Sequence, residues 1–290
     1  MIQNKIVDTS TIPNSRADIH WYHEGFKSIY KSFRKGVDIP EKLRNVDNAE
    51  KVQHTFKFSG FQFGNWLNNN DRYNYLCALY IACYDLNKVL KIGNNIGLQQ
   101  TLSVSFGARG SSSAVAHFEA SQNVINITRY SEGDSFINSG GIGAFAHEYG
   151  HFLDFYLGRY YAPVAETNSL TGGRSTNRKE MSFNMRKNKL RTYTEQILQI
   201  AYWKTPYSQE SDYMKRIEAV TESEYFFRRT EIFARIFEQY ISFKLQKMGI
   251  YNKFLSETKY KPIIYMRSDE LKRVVPLFDA IVKELQVIAG

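Results

Sequence analysis

The spacing of apolar positions changes along this chain, and the changes mark its elements. Over residues 71–91 apolar side chains recur at helical spacing, with Asp71 near the start and Gly93 past the end, which predicts a helix. Before it, 55–63 alternates apolar and polar until Gly60 and reads as a short strand or turn. After it, 101–106 alternates and is broken by Gly107-Ala108-Arg109-Gly110. Residues 114–119 and 124–130, joined by Ala120-Ser121-Gln122-Asn123, read as a hairpin. A Gly/Ser loop at 133–143 leads into 144–157, a strongly apolar helix. Residues 167–178, rich in Ser, Asn and Gly, read as a flexible loop. Beyond 179 only helical patterns appear, at about 180–203, 208–222, 229–248 and 268–288.

Strands therefore fall in the first half and helices in the second, an α+β layout rather than alternating βαβ. Residues 1–50 read as an N-terminal arm or helical extension, polar up to Pro13 and helical near 19–34. Residues 51–290 read as one domain, with a strand-containing lobe at 51–165 and a helical lobe at 166–290.

Composition narrows the class. With 290 residues, 43% hydrophobic and 15% aromatic, the chain can bury a large core and is not wholly disordered. The net charge of +9 permits a nucleic-acid partner but does not require one, because blocks such as Arg186-Lys187-Asn188-Lys189 are short and interrupted and read first as solvated helix faces. Cys77 and Cys83 stand six apart in an apolar helical run and point in different directions, so they read as reduced core thiols, in keeping with a cytoplasmic location. The N-terminal residues lack the apolar core of a secretion signal, and the longest apolar stretch, 75–84, is too short to span a bilayer. No membrane partner is expected.

The decisive residues are Ala146-His147-Glu148-Tyr149-Gly150-His151, an HExxH pattern on the apolar helix. Histidines four apart share one helical face, so His147 and His151 can reach one ion, expected to be a single Zn2+. Glu148 adjoins His147, angled towards the open coordination position, where it can take a proton from water polarised by the ion. The helix is apolar all round and hence buried. Its polar groups need partners, since an unpaired buried polar group costs on the order of a few kcal/mol. The competing reading is two separately hydrogen-bonded histidines or an exposed helix.

A third ligand is needed. The spacing HxxGxxH, with a third histidine, is absent after His151. Glu231 is the best carboxylate, with Arg235 one turn on placed to orient it and Glu238 as a rival. Asp154, three residues after His151, is expected to accept an imidazole N–H, with direct ligation as the alternative. Metallopeptidases of this type commonly bind substrate as an added strand along a sheet edge, and 124–128, with Asn126 at its centre, is a candidate edge, with an ordinary core strand as the alternative. Tyr225, Arg109 and His117 are candidates to steady the substrate carbonyl.

Several segments resemble the large polyvalent protein-associated domain, first of its series, found in proteins of phages and conjugative elements. They are Gly60-Phe61-Gln62-Phe63-Gly64-Asn65-Trp66, Ser105-Phe106-Gly107-Ala108-Arg109-Gly110, Ala116-His117-Phe118-Glu119, Val124-Ile125-Asn126-Ile127-Thr128, the HExxH segment through Asp154, and Thr230-Glu231-Ile232-Phe233-Ala234-Arg235. They span about 55–158 and 225–245 in the family's order. The resemblance implies a zincin-like metallopeptidase fold, with His147, His151 and Glu231 as zinc ligands and Glu148 as general base. It also implies a phage or mobile-element setting, in a host cytoplasm or carried in a virion. The chain departs from the family in standing outside a polyprotein and in a Lys- and Tyr-rich insertion between Leu157 and Tyr225.

The function expected is a zinc-dependent peptidase acting on a protein or peptide, with phage or virion proteins among its partners and loop 167–178 as a lid. The alternative is a non-enzymatic protein on the same fold, structural, virion-associated or DNA-associated. A third reading is a zinc hydrolase of a non-peptide bond.

Overall fold

Alternation in the strands sorts the side chains of a four-stranded sheet into an apolar and a polar face. The computed structural model describes residues 33–40, 49–65, 67, 69–109, 115–128, 141–185, 188–257 and 259–290. Most of the N-terminal arm and of the 133–143 loop, together with Trp66 and the Arg186-Lys187 pair, lies outside them. The described residues form a mixed α/β fold with small sheets and seven α-helices. They fall into two units: Met1–Glu148 with Ser242–Thr258 and Ala289–Gly290, and Tyr149–Ile241 with Lys259–Ile288.

In the first unit, β1 (Arg34–Lys35) pairs antiparallel with β8 (Tyr251–Asn252). The larger sheet holds β2 (Gly60–Phe63), β3 (Ser103–Phe106), β4 (Ala116–Glu119) and β5 (Val124–Ile127) in the order β2-β3-β5-β4. β2, β3 and β5 run parallel, and β4 is antiparallel to β5. Phe61, Phe63, Val104, Phe106, Ile125 and Ile127 share the apolar face. Helices α1 (Ala49–Phe56) and α2 (Asn69–Leu90) supply its cover: Tyr75 stacks on Phe106 at 4.8 Å, and Phe56 meets Tyr80 at 5.1 Å. Arg34, fully withdrawn from water, pairs with both carboxylate oxygens of Asp85, and the Asn252 amide donates to the same group, fixing β1 and β8 to α2.

Two expectations change here. Residues 55–59 are not a strand: Thr55 and Phe56 end α1, Lys57 turns with φ +58°, and the strand begins at Gly60. Strand β5 is not an edge. It lies between β3 and β4, so both its backbone sides are hydrogen-bonded, and the edges are β2 and β4.

The second unit is helical, with α3 (Phe145–Tyr160), α4 (Lys189–Tyr202), a hairpin of β6 (Trp203–Thr205) and β7 (Gln209–Glu210), α5 (Asp212–Glu218), α6 (Arg229–Lys247) and α7 (Ser268–Ala289). The first turn of α3, the end of α6 and the last residue of α7 are counted with the first unit. Its core is aromatic: Tyr149 stacks on Phe237, and Phe278 packs on Phe233, Phe237 and Tyr240. Side chains cap two helices, Asn188 accepting from Arg191 N–H at α4 and Ser211 from Met214 N–H at α5. No helix among the described residues is long and apolar enough to cross a membrane, and Cys77 and Cys83 are free and buried.

Candidate metal centre

Helix α3 is buried on nearly every side by Phe145, Ala146, Tyr149, Phe152, Leu153 and Leu157. Its first turn is anchored where Ala146 N–H donates to the Leu255 carbonyl and Phe145 stacks on Phe254. Packing from all round fixes the directions of its few polar side chains. His147 is half-buried, and Glu148 and His151 are buried.

Helix α6 packs closely against α3. A Cβ added at Gly150 would lie 3.1 Å from Ala234 Cα, a tight contact that glycine relieves. The closeness brings the first turn of α6 to His151, and Glu231 Oε1 lies 3.4 Å from His151 Nε2. His147, His151 and Glu231 each offer one ligand atom, all within 4.8 Å of one another. Two imidazoles and one carboxylate form a His2Glu donor set with a fourth tetrahedral position left for a reactant. Donor atoms this close together could hold one ion.

A second layer fixes His151. Its Nδ1 lies 2.9 Å from Thr230 Oγ1. Thr230 neighbours Asp154, which has no exposed surface. Asp154 also accepts from Thr171, through N–H at 2.9 Å and Oγ1–H at 2.7 Å. Burial pushes the Asp154 carboxyl up, while the Thr171 hydrogen bonds and the neighbouring Thr230 and His151 offset part of that rise. The His151 Nδ1 contact is thus to Thr230 and the Asp154 hydrogen bonds are to Thr171, where a direct acceptance by Asp154 was expected. No sequence pattern gave Thr230 or Thr171 a role.

The segment expected to be a lid is tied down. Ser169, Leu170 and Thr171 have no exposed surface. The buried Arg191 guanidinium donates to the carbonyls of Ala162, Ser169 and Leu170. Arg229, equally buried, donates to the carbonyls of Thr171, Asn177 and Lys179 and pairs with Glu195 at 2.5 Å. Gly158 completes the fit, since a Cβ there would stand 2.5 Å from the Ser169 carbonyl carbon. Polar composition suggested mobility; two arginines outside the segment supply the partners that remove it.

The remaining candidates separate. Arg235 donates to the Phe226 carbonyl and lies over the Phe226 ring at 5.5 Å. Its Nε and Nη1 take no hydrogen bond among the described residues, so it does not orient Glu231. Glu238 accepts from the hydroxyls of Tyr260 and Tyr265 and is not in the ligand cluster. Burial and the Glu238 charge push the Tyr265 phenol up. Tyr225 lies exposed on a 3-10 turn, Glu224–Phe227, with Arg228 over its ring. Asn126, Arg109 and His117 belong to the first unit. Asn126 is fully buried on the interior strand β5, its amide donating to Thr128, and is no edge for an added strand. Arg109 is engaged by Gln62 and by Glu119 at 2.7 Å. His117 stands on edge strand β4, opposite Asn126.

No curated protein and no solved structure matches the chain. Residues 217–288 match the model of the family described as Large polyvalent protein-associated domain 1, and this match takes in Glu231, Arg235 and Glu238 while lying wholly C-terminal to the HExxH helix. The resemblance seen in the sequence thus holds for that family over 217–288, the stretch that supplies the carboxylate corner of the site.

Proposed function

We propose that the chain is a zinc-dependent peptidase on a zincin-like fold, acting in a phage or mobile-element setting. The observation that supports this most is the convergence of His147, His151 and Glu231 beside Glu148. Its partners are a protein or peptide substrate and, in this setting, phage or virion proteins. A host cytoplasm or a virion suits such a protein.

His147, His151 and Glu231 would hold the ion, which supplies Lewis acidity at a substrate carbonyl when bound. Glu148 does the proton work: it takes a proton from the attacking water and delivers it to the leaving amine. Thr230 keeps the His151 ring in place. The buried aromatic and aliphatic residues of α3 keep bulk water from the polar face.

The test is a pair of measurements on purified protein. Zinc is quantified in the wild type and in Glu148→Gln, and both are then offered phage and host proteins as substrates. The expected result is about one zinc in each, with cleavage lost by about 10²–10⁴-fold in the variant. Cleavage unchanged in Glu148→Gln, or a folded wild type that takes no zinc, would overturn the reading and direct attention to a structural or nucleic-acid role.

A further inference from the structure

The β1–β8 ladder sorts its side chains by pleat. Arg34 and Asn252 stand opposite each other and turn inwards, where the Asp85 carboxylate holds both. Their chain neighbours turn outwards. Lys35 and Tyr251 form the next register pair. Lys253 stands two residues after Tyr251 on the same side, about 7 Å along the strand, and its N–H donates to the Phe33 carbonyl. Lys35 and Lys253 are exposed, and Tyr251 is 40% exposed although aromatic. The backbone beneath is firm. Asn252 Oδ1 accepts from Phe254 and Leu255 N–H, and a Cβ at Gly36 would run into the Gly249 carbonyl.

We propose that this outward face binds single-stranded nucleic acid, with a base stacked on Tyr251 and phosphates met by Lys35 and Lys253 on either side of the ring. The charge of the face is one-sided. Across 34–38 and 247–253, Arg34 is already paired with Asp85, which leaves Lys35, Lys247 and Lys253 against one acid, Asp38. A cationic face alone suits any polyanion. The aromatic ring between two cations narrows the class to a chain that alternates phosphates with flat apolar faces. Only in a single strand are those faces open to stacking, since a duplex covers them with its own neighbours. The face shares no residue with the His147, His151 and Glu231 cluster, and the proposal does not depend on the peptidase reading.

The test titrates the full chain into a fluorescein-labelled oligothymidylate at several salt concentrations and follows anisotropy. Wild type is expected to bind with an affinity that falls as salt rises. Lys35→Gln combined with Lys253→Gln should flatten the plot of log affinity against log salt by about 0.7 for each lysine removed. Tyr251→Ala should weaken binding about tenfold, and Tyr251→Phe should restore it. The three side chains are exposed, so these variants should unfold at the wild-type temperature. Lys272→Gln combined with Arg273→Gln removes the same charge from exposed positions of α7 and should leave the slope as it is. No binding at low salt overturns the proposal, as does an equal loss in the α7 variant or wild-type affinity in Tyr251→Ala. Val37 and Met248, exposed in the same two loops, supply the competing occupant, a lipid surface. Capture by phosphatidylserine vesicles, lost with the two lysines while the oligonucleotide stays unbound, would overturn the proposal in favour of a membrane.

Discussion

Glu231 Oε1 lies 3.4 Å from His151 Nε2, whereas Glu238, further along the same helix, is occupied by the hydroxyls of Tyr260 and Tyr265. The two carboxylates looked like rivals in the sequence, and their surroundings separate them. Elemental analysis after dialysis should find about one zinc per chain in wild type and in Glu238→Gln. It should find little in His147→Ala or Glu231→Ala. Zinc kept by Glu231→Ala and lost from Glu238→Gln would reverse the assignment.

Two glycines of α3 should tolerate alanine differently. At Gly150 the added Cβ meets Ala234 Cα and the Phe237 ring at 3.1 Å; at Gly158 it meets the Ser169–Leu170 backbone at 2.5–2.6 Å. Overpacking of this kind costs about 1–3 kcal/mol. Thermal unfolding should show Gly158→Ala less stable than wild type and less stable than Gly150→Ala. Gly150→Ala should also lower zinc affinity, because the spacing of α3 and α6 sets the distance from His151 to Glu231. Equal stability of both variants with wild type would mean that the helices separate without cost.

Arg191 holds down three carbonyls of the 162–170 stretch. Removing it leaves buried acceptors unsatisfied at about 1–3 kcal/mol apiece. Limited proteolysis of Arg191→Ala should introduce cuts between 162 and 180 that wild type resists, while cuts elsewhere stay the same. Resistance equal to wild type would show that Arg229 and Asp154 hold the segment unaided.

Burial pushes the Cys77 thiol up to about 12 from 9.0, and Cys83 is raised by the same cause. Neither should react with a thiol reagent at pH 8 until the chain unfolds. The unfolded chain releases these protons near pH 9 while the folded one retains them, so the folded state binds more protons between about pH 9 and 12. Stability should therefore fall as pH rises through that window, and less steeply in Cys77→Ala. Rapid labelling of the native protein would contradict this.

Long helices were readable from the chain because their apolar spacing is a local property. The expected 71–91, 144–157, 229–248 and 268–288 correspond to Asn69–Leu90, Phe145–Tyr160, Arg229–Lys247 and Ser268–Ala289. The HExxH face was readable for the same reason. Phe56 and Phe58 mimicked a strand because a left-handed turn at Lys57 places both in the core although only one is helical. What the sequence hides is non-local. Strand β5 is interior because β3 comes to its open side, which no feature of 124–130 announces. Thr230 and Thr171 are ordinary hydroxyls until partners 79 and 17 positions away give them a role. The return of Ser242–Thr258 to the first unit likewise leaves no trace in its spacing.

Arg229, Thr230 and Glu231 are consecutive, and each points to a different duty: an ion pair with Glu195, the His151 ring, and the ligand cluster. Consecutive residues on a helix are set about 100° apart. A one-residue insertion or deletion just within the start of α6 would turn all three away from their partners together. A change of length in the β6–β7 hairpin leaves their angular phase untouched. Variation among functional versions of this chain should therefore be generous in length between 203 and 211 and strict in phase from 229 onward.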